Sequence, residues 1–201
     1  MKSNKKLRLY IKSMVCPRCI QSVHEQAMKA GLQVKMVKLG ELSLTEAYTE
    51  EQLNRFIEGI EGNGFGLITD KRSRLVESVK TEILNVIQYE KKIPGNQNFS
   101  TYLASTLKKD YSYLSGLFSR IEKTTIEKYI ILQKIEKTKE LLVYDELRLG
   151  EIAEKLGYSN TQHLSAQFKK ITGLSPSQYK NADEKDRKPI DQLISCKIKK
   201  G

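Results

Sequence analysis

The first seventy residues show two spacings of hydrophobic positions. Leu7, Leu9 and Ile11 alternate with Arg8, Tyr10 and Lys12, which is the period of a half-buried strand. A helix is predicted from Pro17, whose fixed φ suits a first turn, up to Gly31. Three more strands are predicted, at residues 33–39, 41–44 and 65–69. A second helix is predicted to begin at the capping box Thr49-Glu-Glu-Gln52. The order β-α-β-β-α-β predicts a split βαβ domain over residues 1–70.

From residue 71 onward the hydrophobic spacing is helical. Residues 71–91 predict one amphipathic helix with Leu75, Val79, Ile83, Val86 and Ile87 inward. Lys92-Ile-Pro-Gly-Asn-Gln97 predicts a linker, so residues 71–97 are expected to couple two domains. A long connecting helix is predicted over residues 126–142. The charged stretch 182–201 is expected to be disordered, and no role is assigned to Cys196 within it.

Two segments of the helical half repeat each other. In the second, Leu149, Ile152, Ala153 and Leu156 form a helical stripe, and Gly157 allows a sharp turn. Ser159 is expected to cap the next helix, which buries Leu164, Phe168 and Ile171. The first segment repeats this pattern, with these matched positions: Ala104 with Ala153, Leu107 with Leu156, Leu114 with Leu164, Phe118 with Phe168, Ile121 with Ile171, and Tyr129 with Tyr179. Two short helices joined by such a turn are typical of a helix-turn-helix unit, here present twice.

The repeated half resembles the AraC/XylS family of bacterial transcription regulators over roughly residues 99–180. The most specific part runs from Glu151-Ile-Ala-Glu-Lys-Leu-Gly-Tyr-Ser159 through Phe168-Lys-Lys-Ile-Thr-Gly-Leu-Ser-Pro176-Ser-Gln-Tyr179. The first unit departs from the family pattern, because Lys108-Lys109 replaces a Gly-aromatic pair and Thr124-Thr125-Ile126 replaces a Gly-x-Ser-Pro turn. The expected architecture is α+β, with an N-terminal ferredoxin-like βαββαβ domain followed by an all-α tandem helix-turn-helix domain over residues 98–181.

The second helix of each unit is expected to enter the major groove of double-stranded DNA. Because the apolar stripes face inward, the outward residues are available to DNA: Ser112, Tyr113, Ser115, Gly116 and Ser119 in the first unit, and Thr161, Gln162, His163, Ser165 and Ala166 in the second. The resemblance implies that Ser112, Ser115, Gly116, Gln162, His163 and Ser165 read bases. Arg120, Lys169 and Lys170 are better placed for phosphates. The alternative is that these are only solvated polar faces.

Charge supports a polyanionic partner. The chain carries a net charge of +11, and residues 71–201 hold 25 Lys and Arg against 16 Asp and Glu, a balance of +9. Such an excess is consistent with nucleic-acid binding but does not establish it. A tandem pair of units predicts an asymmetric DNA site of roughly 20 bp for each chain.

Cys16 and Cys19 lie at the N-terminus of the first predicted helix, within Met14-Val-Cys16-Pro-Arg-Cys19. A helix N-terminus is expected to favour thiolate, and two soft thiolates suit Cu(I) or, with added ligands, Zn(II). Residues 5–70 resemble the heavy-metal-associated domains of copper chaperones and metal-pumping ATPases. Two alternatives stay open: thiol redox chemistry, although no proline lies between residues 18 and 93, and a purely structural or dimerising domain. His24 is expected to be a surface or packing residue.

The sequence thus predicts a regulator in which a thiophilic metal at Cys16 and Cys19 biases DNA binding. RNA polymerase is an expected partner, homodimerisation is possible in principle, and a metal-trafficking protein is a further alternative. No catalytic constellation is evident, so the chain is expected not to be an enzyme. No apolar run is long enough to span a membrane, and no signal peptide is evident, so a cytoplasmic location is expected.

Overall fold

A computed structural model describes residues 7–182, in two compact units. One unit comprises the described residues up to Glu82 together with Leu103–Asp110. The other comprises Ile83–Tyr102 and the described residues from Tyr111 onward. The predicted tail and Cys196 lie outside the described residues, apart from Ala182.

The first unit contains a four-stranded antiparallel sheet with the strand order β2-β3-β1-β4. Its elements follow one another as β1 Arg8–Lys12, α1 Pro17–Lys29, β2 Val34–Lys38, β3 Glu41–Leu44, α2 Glu50–Glu61 and β4 Gly66–Ile68. The predicted order of strands and helices is therefore the order observed. The capping box at the start of α2 is also observed, with the backbone N–H of Gln52 donating to Thr49 Oγ1 over 3.2 Å.

The core of this unit forms on one face of the sheet. Leu9 and Ile11 of β1 are buried, whereas Arg8 and Lys12 are exposed, as period-two alternation requires. Each helix adds two residues spaced four apart, Val23 and Ala27 from α1 and Phe56 and Ile60 from α2, and all four are fully buried. This arrangement follows from amphipathic helices that bury one stripe against the hydrophobic face of a sheet.

Helix α3 runs over Lys71–Ile87 and ends four residues before the predicted boundary. Glu90 adopts a φ of +57°, and Lys91 donates its backbone N–H to the Asn85 carbonyl over 2.9 Å, which closes the helix. The first part of α3 contacts the sheet unit: the Arg74 guanidinium lies 4.6 Å from the Tyr10 ring centroid, and Glu77 accepts the Ser13 backbone N–H over 3.2 Å.

The remaining elements are helical. They are a short 3-10 turn at Pro94–Asn96, then α4 Phe99–Leu107, α5 Tyr111–Glu122, α6 Ile126–Tyr144, α7 Leu149–Lys155, α8 Thr161–Thr172 and α9 Pro176–Lys180. The predicted connecting helix is α6, and it contacts α5, α7, α8 and α9. No helix among the described residues is long and apolar enough to cross a membrane.

The repeat found in the sequence recurs in the packing of aromatic rings. The Phe118 and Tyr129 ring centroids lie 5.7 Å apart, and those of Phe168 and Tyr179 lie 5.5 Å apart. These four residues are the matched pairs of the two units, and all are buried. Ile121 departs from its partner Ile171, because it is 37% exposed whereas Ile171 is half-buried.

Candidate nucleic-acid interface

Each candidate DNA-contacting helix follows a turn that contains one residue with positive φ. Gly157 has a φ of +67°, and the next residue, Tyr158, donates its backbone N–H to the Ala153 carbonyl over 2.8 Å. In the first helix-turn-helix unit Lys108 has a φ of +52°, and Lys109 donates its backbone N–H to the Ala104 carbonyl over 3.2 Å. The two turns therefore end the preceding helix with the same local geometry, although the first lacks glycine and is one residue shorter between its positive-φ residue and the next helix.

The N-cap of α8 corrects a sequence prediction. Asn160, not Ser159, is the capping residue, and its side-chain oxygen accepts the backbone N–H of His163 over 2.7 Å. Ser159 Oγ instead lies 3.3 Å from Nδ1 of His163. The capping interaction therefore secures the first turn of α8, and Ser159 contacts the imidazole that this turn carries.

The face of α8 opposite its buried residues is polar and basic. Leu164 and Phe168 are completely buried. The sequence-predicted residues of this helix divide by exposure: Gln162, His163, Lys169 and Lys170 are exposed, and Thr161 and Ser165 are half-buried. Thr161 donates its hydroxyl to Oε1 of Gln162 over 3.1 Å, an interaction that orients the carboxamide.

Helix α5 has the same division between its faces. Leu114, Leu117 and Phe118 are buried. The predicted contact residues on the other side are Ser112, Tyr113, Gly116 and Arg120, which are exposed, and Ser115, which is half-buried. The Tyr113 side chain is 49% exposed and is the largest of this set that a base or sugar could contact. Apart from its chain neighbours and the backbone of its own helix, no atom of residues 7–182 lies within 4 Å of a Cβ built on Gly116, so another molecule can approach closely there.

Two tyrosines hold residues of these helices in place. This role was not predicted from the sequence for either of them. Tyr158 contacts the His163 ring edge-on, with centroids 5.4 Å apart, and donates its hydroxyl to Gln167 Oε1 over 2.6 Å. Burial raises the pKa of Tyr158 to about 12. At the start of α5, Tyr111 donates its hydroxyl to Glu127 of α6. Burial and this carboxylate together raise the pKa of Tyr111.

The structure brings the two N-terminal cysteines together. Cys16 is the N-cap residue of α1, Pro17 occupies the first helical turn, and the Sγ atoms of Cys16 and Cys19 lie 3.1 Å apart. The expected thiolate is not favoured at Cys19, because burial raises the pKa of that thiol. Within residues 7–182 no group of three or more Cys, His, Asp or Glu side chains is arranged to hold a metal ion. His24 is exposed.

Comparison with known proteins identifies the C-terminal half. Residues 103–182 match a family model described as a helix-turn-helix domain. The Melibiose operon regulatory protein of Escherichia coli (strain K12) is 27% identical over 85 residues, which are 42% of this chain and 28% of that protein. The Msm operon regulatory protein of Streptococcus mutans is 30% identical over 78 residues, which are 39% of this chain and 28% of that protein.

A solved structure is also similar, the C-terminal domain of AraT, a response regulator from Geobacillus stearothermophilus. The match has a TM-score of 0.46 at 27% identity and covers 55% of this chain and 87% of that one. The present chain spans little more than a quarter of the length of the two operon regulators. Their similarity supports the helix-turn-helix prediction, and with it the AraC-type resemblance, for this half of the chain.

Proposed function

We propose that this chain is a DNA-binding transcription regulator of the AraC family, in which α5 and α8 enter the major groove of double-stranded DNA. The observation that carries the proposal is the structural repeat. Both helices bury a leucine and a phenylalanine four residues apart, follow a turn of the same geometry, and present small polar and basic side chains outward. Two similar proteins are named as operon regulators, which supports the same function here.

Base recognition is assigned to the N-terminal parts of these helices. In α8, Gln162 can pair bidentately with adenine, because its carboxamide offers both a donor and an acceptor. The Thr161 hydroxyl occupies only one lone pair of the Gln162 oxygen, so the second remains available to the base. His163, Ser165, Ser112, Ser115 and Gly116 complete the proposed base-reading set, with Tyr113 and Thr161 beside it.

Phosphate contacts are assigned to Arg120, Lys169 and Lys170. Each is exposed in the last turn of its helix, away from the base-reading residues at the beginning. A cation that pairs with phosphate adds affinity on every sequence and releases a counterion.

The test uses the full chain and DNA that it selects from a random-sequence pool, with affinity measured by fluorescence anisotropy across a salt series. Lys169→Gln is expected to weaken binding on all sequences and to reduce the salt slope by about one. Gln162→Ala is expected to cost about 1–3 kcal/mol of discrimination at one base pair. Lys29→Gln is the matched control, because it removes the same charge from an exposed position at the end of α1.

Two results would contradict the proposal. The chain could select no sequence from the pool, or Lys169→Gln and Lys29→Gln could change the salt slope equally. The second result would indicate that the basic face of α8 is only solvated and does not contact DNA.

Metal sensing through Cys16 and Cys19 is proposed as a second, separable function. The supporting observation is the adjacency of the two thiols, which supplies two soft donors suited to Cu(I). A Zn(II) site needs two further ligands, and residues 7–182 of one chain supply no such group. When bound, the ion would stabilise both thiolates and link the start of α1 to the loop before it.

Titration of the full chain with Cu(I) and with Zn(II) tests this second function. Cys16→Ser is expected to abolish stoichiometric Cu(I) binding, whereas Cys196→Ser, the matched control, is expected to leave it unchanged. If wild-type chain binds neither ion, the sensor proposal is wrong and the structural or dimerising role of this domain is favoured. Tight metal binding without DNA affinity would favour metal trafficking.

Several further expectations stay predictions. The first is the ferredoxin-like assignment of residues 1–70, which the observed element and strand order supports. The others are the domain boundaries, contact with RNA polymerase, homodimerisation, a cytoplasmic location and the lack of enzymatic activity.

A further inference from the structure

The helical unit contains a cleft of about 820 Å³ that the DNA-binding proposal does not use. One wall is the segment from the end of α3 to the start of α4, and the other consists of residues from α6, α7 and the turn after α7. The volume lies within the range of about 300–1,000 Å³ that is usual for small-molecule sites.

The cleft combines a group of aliphatic and aromatic side chains with polar and charged ones. Val86, Ile87, Ile93, Phe99 and Leu156 line it. Ile87 and Leu156 are buried, and the other three have half-buried side chains. An apolar body that covered these side chains would remove hydrophobic surface from water.

One cation in the cleft lacks a carboxylate partner. The ammonium group of Lys134 lies 5.0 Å from the Tyr158 ring centroid, and within the described residues no Asp or Glu forms a salt bridge with it. Burial lowers the pKa of Lys134, because few charges offset the loss of solvation there. A half-buried ammonium in this position is stabilised by any anion that reaches it.

The other charges of the cleft leave a positive balance. Glu90 pairs with Lys155 over 2.8 Å, so these two charges compensate each other. Outside that pair, Lys92 and Lys134 carry two positive charges against the carboxylate of Glu154. The electrostatic preference of the cleft is therefore for a negatively charged ligand.

We propose that this cleft binds a small organic anion, whose charged group pairs with Lys134 and whose apolar body lies against Val86, Ile93 and Phe99. The ligand would also touch Leu156 and Gly157, which belong to the turn that precedes α8. The proposal does not depend on DNA binding, because ligand binding is measured on the chain alone.

Calorimetric titration of the full chain with three permanently charged probes tests the proposal. Hexanesulfonate carries an apolar chain and a negative charge, methanesulfonate carries the charge alone, and hexyltrimethylammonium carries the chain with a positive charge. Hexanesulfonate is expected to bind, and Lys134→Gln is expected to weaken it about tenfold. Lys128→Gln, which removes the same charge from an exposed position on α6, is expected to leave the affinity unchanged.

Three results would overturn the proposal: equal binding of methanesulfonate, which would indicate a nonspecific anion contact; equal binding of hexyltrimethylammonium; or an unchanged affinity in Lys134→Gln. Circular dichroism verifies that the variant is folded. Independently of any variant, hexanesulfonate should shift the backbone amide signals of Ile93, Phe99 and Gly157 in the wild-type chain, and shifts confined to other residues would locate the ligand elsewhere.

Discussion

Replacing Lys108 by glycine should stabilise the chain. Lys108 has a φ of +52°, a conformation that L-amino acids adopt only at a cost in free energy. Its side chain is exposed, so the substitution opens no cavity. The matched residue of the second unit is already glycine, Gly157, with a φ of +67°.

The magnitude follows from two opposing contributions. Relief of the left-handed conformation is worth about 1–2 kcal/mol. The greater freedom of glycine in the unfolded chain offsets about 0.5–1 kcal/mol of this. We therefore expect Lys108→Gly to raise the free energy of unfolding by roughly 0.5–1 kcal/mol.

The reciprocal substitution, Gly157→Ala, serves as the control. Apart from the chain neighbours, the nearest atom among the described residues to a Cβ built there is Nζ of Lys134, at 3.8 Å, so the added methyl group meets no clash. The cost is therefore conformational, and Gly157→Ala should lower the free energy of unfolding by a similar amount, roughly 0.5–1 kcal/mol.

Urea unfolding followed by far-ultraviolet circular dichroism measures both changes, since the chain has no tryptophan to serve as a fluorescent probe. The midpoints should move in opposite directions at an unchanged m-value. If Lys108→Gly lowers the free energy of unfolding while Gly157→Ala also lowers it, the two turns do not share one geometry and the reasoning fails.

Three further predictions concern the second helix-turn-helix unit. Asn160→Ala should lower the free energy of unfolding by about 1 kcal/mol, whereas Ser159→Ala should change it by only a few tenths; the reverse ranking in urea unfolding would restore Ser159 as the cap. Phe168→Ala should cost about 3–5 kcal/mol, because the ring is fully buried, and a loss below about 1 kcal/mol would contradict that packing. The pKa of Tyr158 is raised to about 12 in the folded chain, so its contribution to stability should be complete below pH 10, where the unfolded tyrosine is still protonated, and be lost between pH 10 and 12. Tyr158→Phe should flatten that part of the stability profile, and an unchanged profile would refute the assignment.

The repeat was visible in the sequence because the same spacing of hydrophobic positions recurs in both segments. Helical spacing places Leu114 and Phe118 on one face, and the same spacing places Leu164 and Phe168 on another. The turn residues do not recur as residue types, since lysine occupies a position that glycine holds in the second unit. The backbone conformation nevertheless recurs, so only the structure could show that the turns are equivalent.

Two other features could not be read from residue types. Ser159 and Asn160 are both good N-caps, and spacing alone does not decide between neighbours. The helix N-terminus at Cys16 suggested thiolate, but the pKa of Cys19 depends on burial, which local sequence does not determine. The cleft around Lys134 could not be predicted for a related reason, because residues 86–99 and residues 134–157, which form it, are far apart in the sequence.

Helix α6 explains how the two proposed recognition helices would act on one DNA site. It contacts both α5 and α8, so a single helix sets their separation within the helical unit. Several polar residues of α6 are buried, and three of them have partners within the helix: Lys139 pairs with Glu136 over 2.7 Å, and the Thr138 hydroxyl donates to the Lys134 carbonyl over 2.8 Å. Pairing within the helix offsets much of the cost of burying the charges of Lys139 and Glu136. The helix is therefore constrained on several sides, which favours two fixed major-groove contacts and a single asymmetric site for each chain.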